Sequence, residues 1–152
     1  VNDLEQESID DFFISVRAHI KNASDRERAI QVIETWRAAW VGKNKSITAT
    51  HSGHGSFLHF NLFLSNQWCH AFVFRSVPRQ GMSLRGPDPD RMRRSHKMKA
   101  NPLDRKPLDQ LFEDWSQHPE GRPAGNAIEF FIDETPDSVW TACLQAVRVR
   151  LG

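Results

Sequence analysis

The chain has no tyrosine, only two cysteines, no long apolar run, and a central stretch without a single acid. Without Tyr, the aromatic content rests on ten Phe and five Trp. Cys69 and Cys143 could form one bridge at most, so no disulfide framework is possible. Each sits among apolar residues, the setting of a free, buried thiol in a reducing compartment. No apolar run approaches the ~18 residues of a membrane-spanning helix. The first residues, VNDLEQESIDD, lack the basic start and apolar stretch of a secretory signal. These absences point to a cytoplasmic protein with no membrane partner. No acid lies between Glu34 and Asp88. That stretch therefore offers no carboxylate to orient a metal ligand or serve as a base. A G-x-S-x-G nucleophile turn and a P-loop are also missing.

What is present suffices for one domain. The chain has 152 residues, of which 39% are apolar, enough for a real core and too many for wholesale disorder. The net charge is +1, but it is unevenly laid out. Residues 1–30 carry −3, 31–78 carry +3, and 107–152 carry −5. Residues 79–106 hold nine basic groups against three acids, which leaves +6. Such a layout steers an anionic partner more than the total suggests. The stretch 77–107 is rich in Pro and Arg and reads as a basic loop within a single 1–152 domain.

Hydrophobic spacing predicts the elements. A first helix starts at Ser8, with Ile9, Phe12, Phe13, Val16 and Ile20 on one face. A second starts at Ser24, where Glu27 completes a capping box, and stops near Gly42. A very short turn joins them as an antiparallel hairpin. Strands follow at 46–50, 56–64 and 68–75, the last two joined by a tight turn at Ser65, Asn66 and Gln67. In 56–64, Leu58, Phe60, Leu62 and Leu64 share one face, and Phe57, His59, Asn61 and Phe63 the other. Residues 81–84 form a short edge strand. A third helix takes Pro107 in its first turn, a loop covers 118–125, and a strand covers 127–132. A fourth helix starts at Thr135, Pro136 and Asp137, with Thr135 as cap. The order is α-α-β-β-β-(β)-α-β-α. This is an α+β domain with a mainly antiparallel sheet of four or five strands.

Four constellations carry chemical potential. His51, His54, His59 and His70 form the first, with imidazoles suited to zinc. Cys69 and His70 alternate across a strand, so only one of them can join His59. The Gly-rich turn HSGHGS is the second; it either forms an anion-binding nest or permits a sharp turn. The third is the element order itself. Helix, three strands, helix and strand is similar to the core order of the PD-(D/E)XK nuclease fold. That resemblance implies acids on the second and third strands followed by a Lys, and SFLHFNLFL and WCHAFVFR contain no acid. It therefore stops at the order of elements. The fourth is a set of acids: Glu129, Asp133, Glu134, Glu113 and Asp114. Asp133 and Glu134 also suit the N-terminal dipole of the last helix.

Among the tryptophans, Trp36, Trp40, Trp115 and Trp140 fall at core spacing, and only Trp68 suits ligand stacking. The reading that follows is a binding module rather than an enzyme, with no cofactor. Its basic loop contacts nucleic acid, or an acidic protein surface, through Arg85, Arg91, Arg93, Arg94, Lys97 and Lys99. The alternatives are an adaptor domain of a larger protein and a metal-dependent hydrolase or nuclease using the histidines.

Overall fold

The computed structural model is described for residues 3–87 and 102–152, with side chains in the second span from Arg105 onward. Among the described residues, four helices cover one face of a six-stranded antiparallel sheet. The elements are α1 (Asp3–His19), α2 (Ala23–Ala39), β1 (Lys45–Ser52), β2 (Gly55–Leu64), β3 (Gln67–Val77), β4 (Gly81–Gly86), α3 (Pro102–Ser116), β5 (Arg122–Ala124), β6 (Ala127–Phe131) and α4 (Asp137–Leu151). The sheet order is β1-β2-β3-β4-β6-β5. The α+β class and the antiparallel sheet are as the sequence predicts. Among the described residues, no helix is long and apolar enough to cross a membrane.

Local chemistry explains most boundaries. α1 starts at Asp3, ahead of Ser8, with Asp3 and Glu5 in its positive first turn. α2 is capped by Asn22, whose side-chain oxygen accepts the Asp25 N–H at 3.1 Å. Ser24 lies inside the first turn, so the expected capping box is not used. Asn22 sits one residue before the helix in extended geometry and reaches the orphan donor better. α3 begins before Pro107, which lies inside the helix and forgoes one backbone bond. α4 is capped by Pro136 with no side-chain bond. Thr135 is buried one position too early to cap. Instead, Arg28 of α2 donates to the Thr135 carbonyl at 2.8 Å and pairs with Asp137 at 3.3 Å.

Two strand expectations change. β5 falls in the segment read as a loop, because three residues pair with β6 without a hydrophobic pattern to announce them. β4 is not an edge strand. It extends to Gly86 and pairs with β3 on one side and β6 on the other. Gly86 permits this at its left-handed φ of +149°; a Cβ there would sit 2.7 Å from the Phe72 Cβ.

The core lies between the helices and the inner sheet face. Leu58, Phe60, Phe72, Phe74, Met82, Leu84 and Phe130 supply the sheet side. The tryptophans read as core residues fill the other side. Trp36 stands edge-on to Phe72 and Phe74, at 5.3 and 5.4 Å between centroids, and also meets Trp115 at 6.0 Å. Edge-to-face packing adds to the burial of each ring. α3 and α4 are tied by a two-point pair between Arg150 and Asp114, at 2.7 and 3.1 Å.

Truncation should separate core from surface aromatics. Trp36→Ala is expected to cost about 3–5 kcal/mol. Trp68→Ala, on the open face, should cost less than about 1 kcal/mol. Urea unfolding of both variants checks the contrast.

Candidate functional site on the open sheet face

Strand parity puts a second set of side chains on the face away from the helices. Along β2 these are Phe57, His59, Asn61 and Phe63, the alternation expected from sequence. Opposite them on β3 lie Arg75, Val73, His70 and Trp68. The register skips Ala71, so β3 carries a bulge there. The extra residue puts both Ala71 and Phe72 in the core and restores His70 to the open face beside Asn61. Ser65 and Asn66, both at positive φ, close this hairpin as a two-residue turn.

Asn61 links the two layers. Its backbone carbonyl accepts the Trp40 indole N–H at 3.1 Å. Its side-chain nitrogen donates to the Thr48 and Ser46 hydroxyls at 3.0 and 3.3 Å. Its oxygen lies 2.6 Å from His70 Nδ1 and must accept, so that imidazole nitrogen is the donor. The His70 and His59 rings are stacked at 4.2 Å, and Thr50 Oγ1 lies 2.9 Å from His59 Nε2. Phe57 stacks on His59 at 6.4 Å, and the Arg75 guanidinium lies 5.8 Å from the Phe57 centroid.

At the other end is a charged group. Glu129 of β6 is 5% exposed. It accepts from Ser83 at 2.6 Å, Arg75 at 2.7 Å and Arg85 at 2.9 Å. Burial alone would push its carboxyl up. The bonds from Ser83, Arg85 and Arg75, with the Arg85 charge, outweigh burial and hold it below its ordinary range. Two guanidiniums against one carboxylate leave this group at +1.

Trp68 and Phe63 finish the face beyond His70. They are 44% and 38% exposed and 5.3 Å apart. A cleft of about 460 Å³ opens beside Trp68, with His70, Asn61, Ser46, Thr48 and Glu5 around it.

The histidines predicted as one cluster separate. His59 and His70 meet on the open face, and Cys69 faces the core, so one of the two alternating residues joins His59. His51 belongs to the helix side, where its Nε2 lies 3.0 Å from the Ser8 carbonyl and its Nδ1 lies 2.9 Å from Ser56 Oγ. His54 is in the exposed turn between β1 and β2. Among the described residues, no three His, Cys, Asp or Glu gather as a metal site. The HSGHGS segment is a hairpin turn, with the His54 N–H bonded to Ser52 Oγ. The acids are dispersed, with Glu134 held by Arg122 and Asp114 by Arg150. Cys69 and Cys143 are free and buried, and burial pushes their thiols up to about 11 and about 12. Neither forms the thiolate a nucleophile needs.

Of the residues expected to contact an anionic partner, Arg85 stands on β4 bound to Glu129. Arg91, Arg93, Arg94, Lys97 and Lys99 lie outside the described residues. Arg75 joins the site without a signal in the sequence, since its strand is apolar and its acid partner is 54 positions away. No local signal links the two. The chain matches no family model, no curated protein and no solved structure closely enough to establish kinship.

Glu129 makes stability depend on pH. Its folded value lies below its unfolded one, so its contribution is present above the unfolded value, near 4.3 for a glutamate. It is lost as pH falls through the folded value. Glu129→Gln should therefore cost about 1–3 kcal/mol near neutral pH. The gap to the natural protein should close as pH drops below about 4. Urea unfolding across that range measures it.

Proposed function

We propose that this domain is a non-enzymatic binding module for nucleic acid. The carrying observation is that the open face and the +6 stretch share a strand. β4 sends Arg85 onto that face and leads, one residue after Gly86, into the sequence that holds Arg91, Arg93, Arg94, Lys97 and Lys99. Arg75 stands on the neighbouring strand, and the Arg75–Glu129–Arg85 group retains a net positive charge. Arginine and lysine pair with phosphates, giving affinity that is salt-dependent and largely indifferent to sequence. Asp114 of α3 and Asp137 of α4 are engaged by Arg150 and Arg28.

Several observations favour binding over catalysis. The thiols are buried and protonated, the histidines are split between two faces, and Glu129 is charge-paired by two arginines. The side chains of the open face make polar and ring contacts with one another, which suits a preformed surface.

Fluorescence anisotropy with labelled single- and double-stranded DNA and RNA tests the proposal. Binding of micromolar affinity or tighter is expected at about 50 mM salt, weakening steeply towards about 200 mM. Replacing Arg91, Arg93 and Arg94 together by Ala should weaken it and flatten the slope of log affinity against log salt by about 2–3. No binding at the lowest salt would sink the reading in favour of a protein contact.

A further inference from the structure

We infer that the nucleic acid recognised is single-stranded, with one base stacked on Trp68 in the cleft beside it. This rests on the nucleic-acid reading above and specifies it.

Trp36, Trp40, Trp115 and Trp140 are all buried, while Trp68 presents 44% of its surface. A lone exposed aromatic needs no explanation. Trp68 is not alone: Phe63 stands against it, also exposed, and Trp68 itself borders the 460 Å³ cleft. The cleft joins an indole wall to the hydroxyls of Ser46 and Thr48, the amide of Asn61, the imidazole of His70 and the carboxylate of Glu5. A flat heterocycle with polar edges fits that combination, since stacking takes its face and hydrogen bonds take its rim.

The polar side is preorganised. Asn61 is held by His70, Ser46, Thr48 and, through its backbone, Trp40. A base entering the cleft meets groups already fixed, which lowers the ordering cost of binding.

Charge sets the path of the strand. Trp68 and Arg75 lie on the same side of β3, about 20 Å apart at ~3.3 Å per residue. Arg85 lies opposite Val73 across the β3–β4 pairing and meets Arg75 at Glu129. The stacking wall thus lies at one end of the face and the net positive group at the other. Single-strand sites combine a charged track with aromatic platforms over several nucleotides. A duplex keeps its base faces stacked internally and offers none to Trp68.

The test compares the natural protein with Trp68→Ala and Trp68→Phe. The probes are a labelled oligothymidine of about ten nucleotides, within the usual site size, and a duplex of equal length. Trp68→Ala should weaken single-strand binding about 5- to 150-fold. Its salt slope should not change, because stacking releases no counterions. Trp68→Phe should retain most of the affinity, and duplex binding should not respond to either change. Circular dichroism and urea midpoints verify that both variants fold. If Trp68→Ala binds the single strand like the natural protein, while the triple arginine variant still loses affinity, the stacking inference is overturned and the nucleic-acid reading stands. If neither probe binds at low salt, both are overturned.

Discussion

The four helices of the described residues pack on one side of the sheet, and this one-sidedness governs the rest of the structure. The inner face can be wholly apolar because helices cover it. The other face has no helix on it among the described residues, so its side chains must satisfy one another. They do so in two ways. Rings stack along β2 and β3, from Phe57 through His59 to His70. Polar groups close into short networks around Asn61 and Glu129. A surface that answers its own polar needs is also one that holds its shape for a ligand.

The bulge at Ala71 makes both faces possible at once. A regular strand would put every second residue of β3 outward throughout. The skipped residue lets Ala71 and Phe72 both turn inward, then returns His70 and Trp68 to the open side. Asn61 stands opposite this irregularity and ties it down. Its carbonyl holds the Trp40 indole from α2, and its side chain holds the open face. Helix placement and surface arrangement therefore share one anchor.

Electrostatics follows the same division. Asp137 pairs with Arg28, and Asp114 with Arg150, so these contacts brace the helical layer. On the open face the balance tips the other way, with Arg75 and Arg85 both drawn to Glu129. A carboxylate buried between two arginines remains charged at neutral pH, and it orients both guanidiniums along the sheet.

The sequence by itself determined much that is local. Apolar spacing identified four helices, the tryptophans of the core, and the β2–β3 hairpin with both of its faces. These are legible because burial imposes a period on neighbouring residues. Trp68 stood apart from the other tryptophans because it follows a turn instead of lying on a helix face. The caps of the second and fourth helices lie two and one residues from the expected ones, since several short polar side chains compete for the same orphan donors at a helix start, and the first and third helices begin about five residues earlier than Ser8 and Pro107 suggest. Local sequence gives β4 the look of an edge and β5 that of a loop, because strand neighbours are chosen by long-range pairing. The site itself was the tertiary structure's decision. Arg75, Arg85 and Glu129 lie on three strands, and nothing in their local sequence draws them together. The histidines close in sequence were parted because alternation and hairpin register put His51 and His59 on opposite faces. Periodicity reports which residues are buried, whereas only the register of distant strands reports which side chains meet.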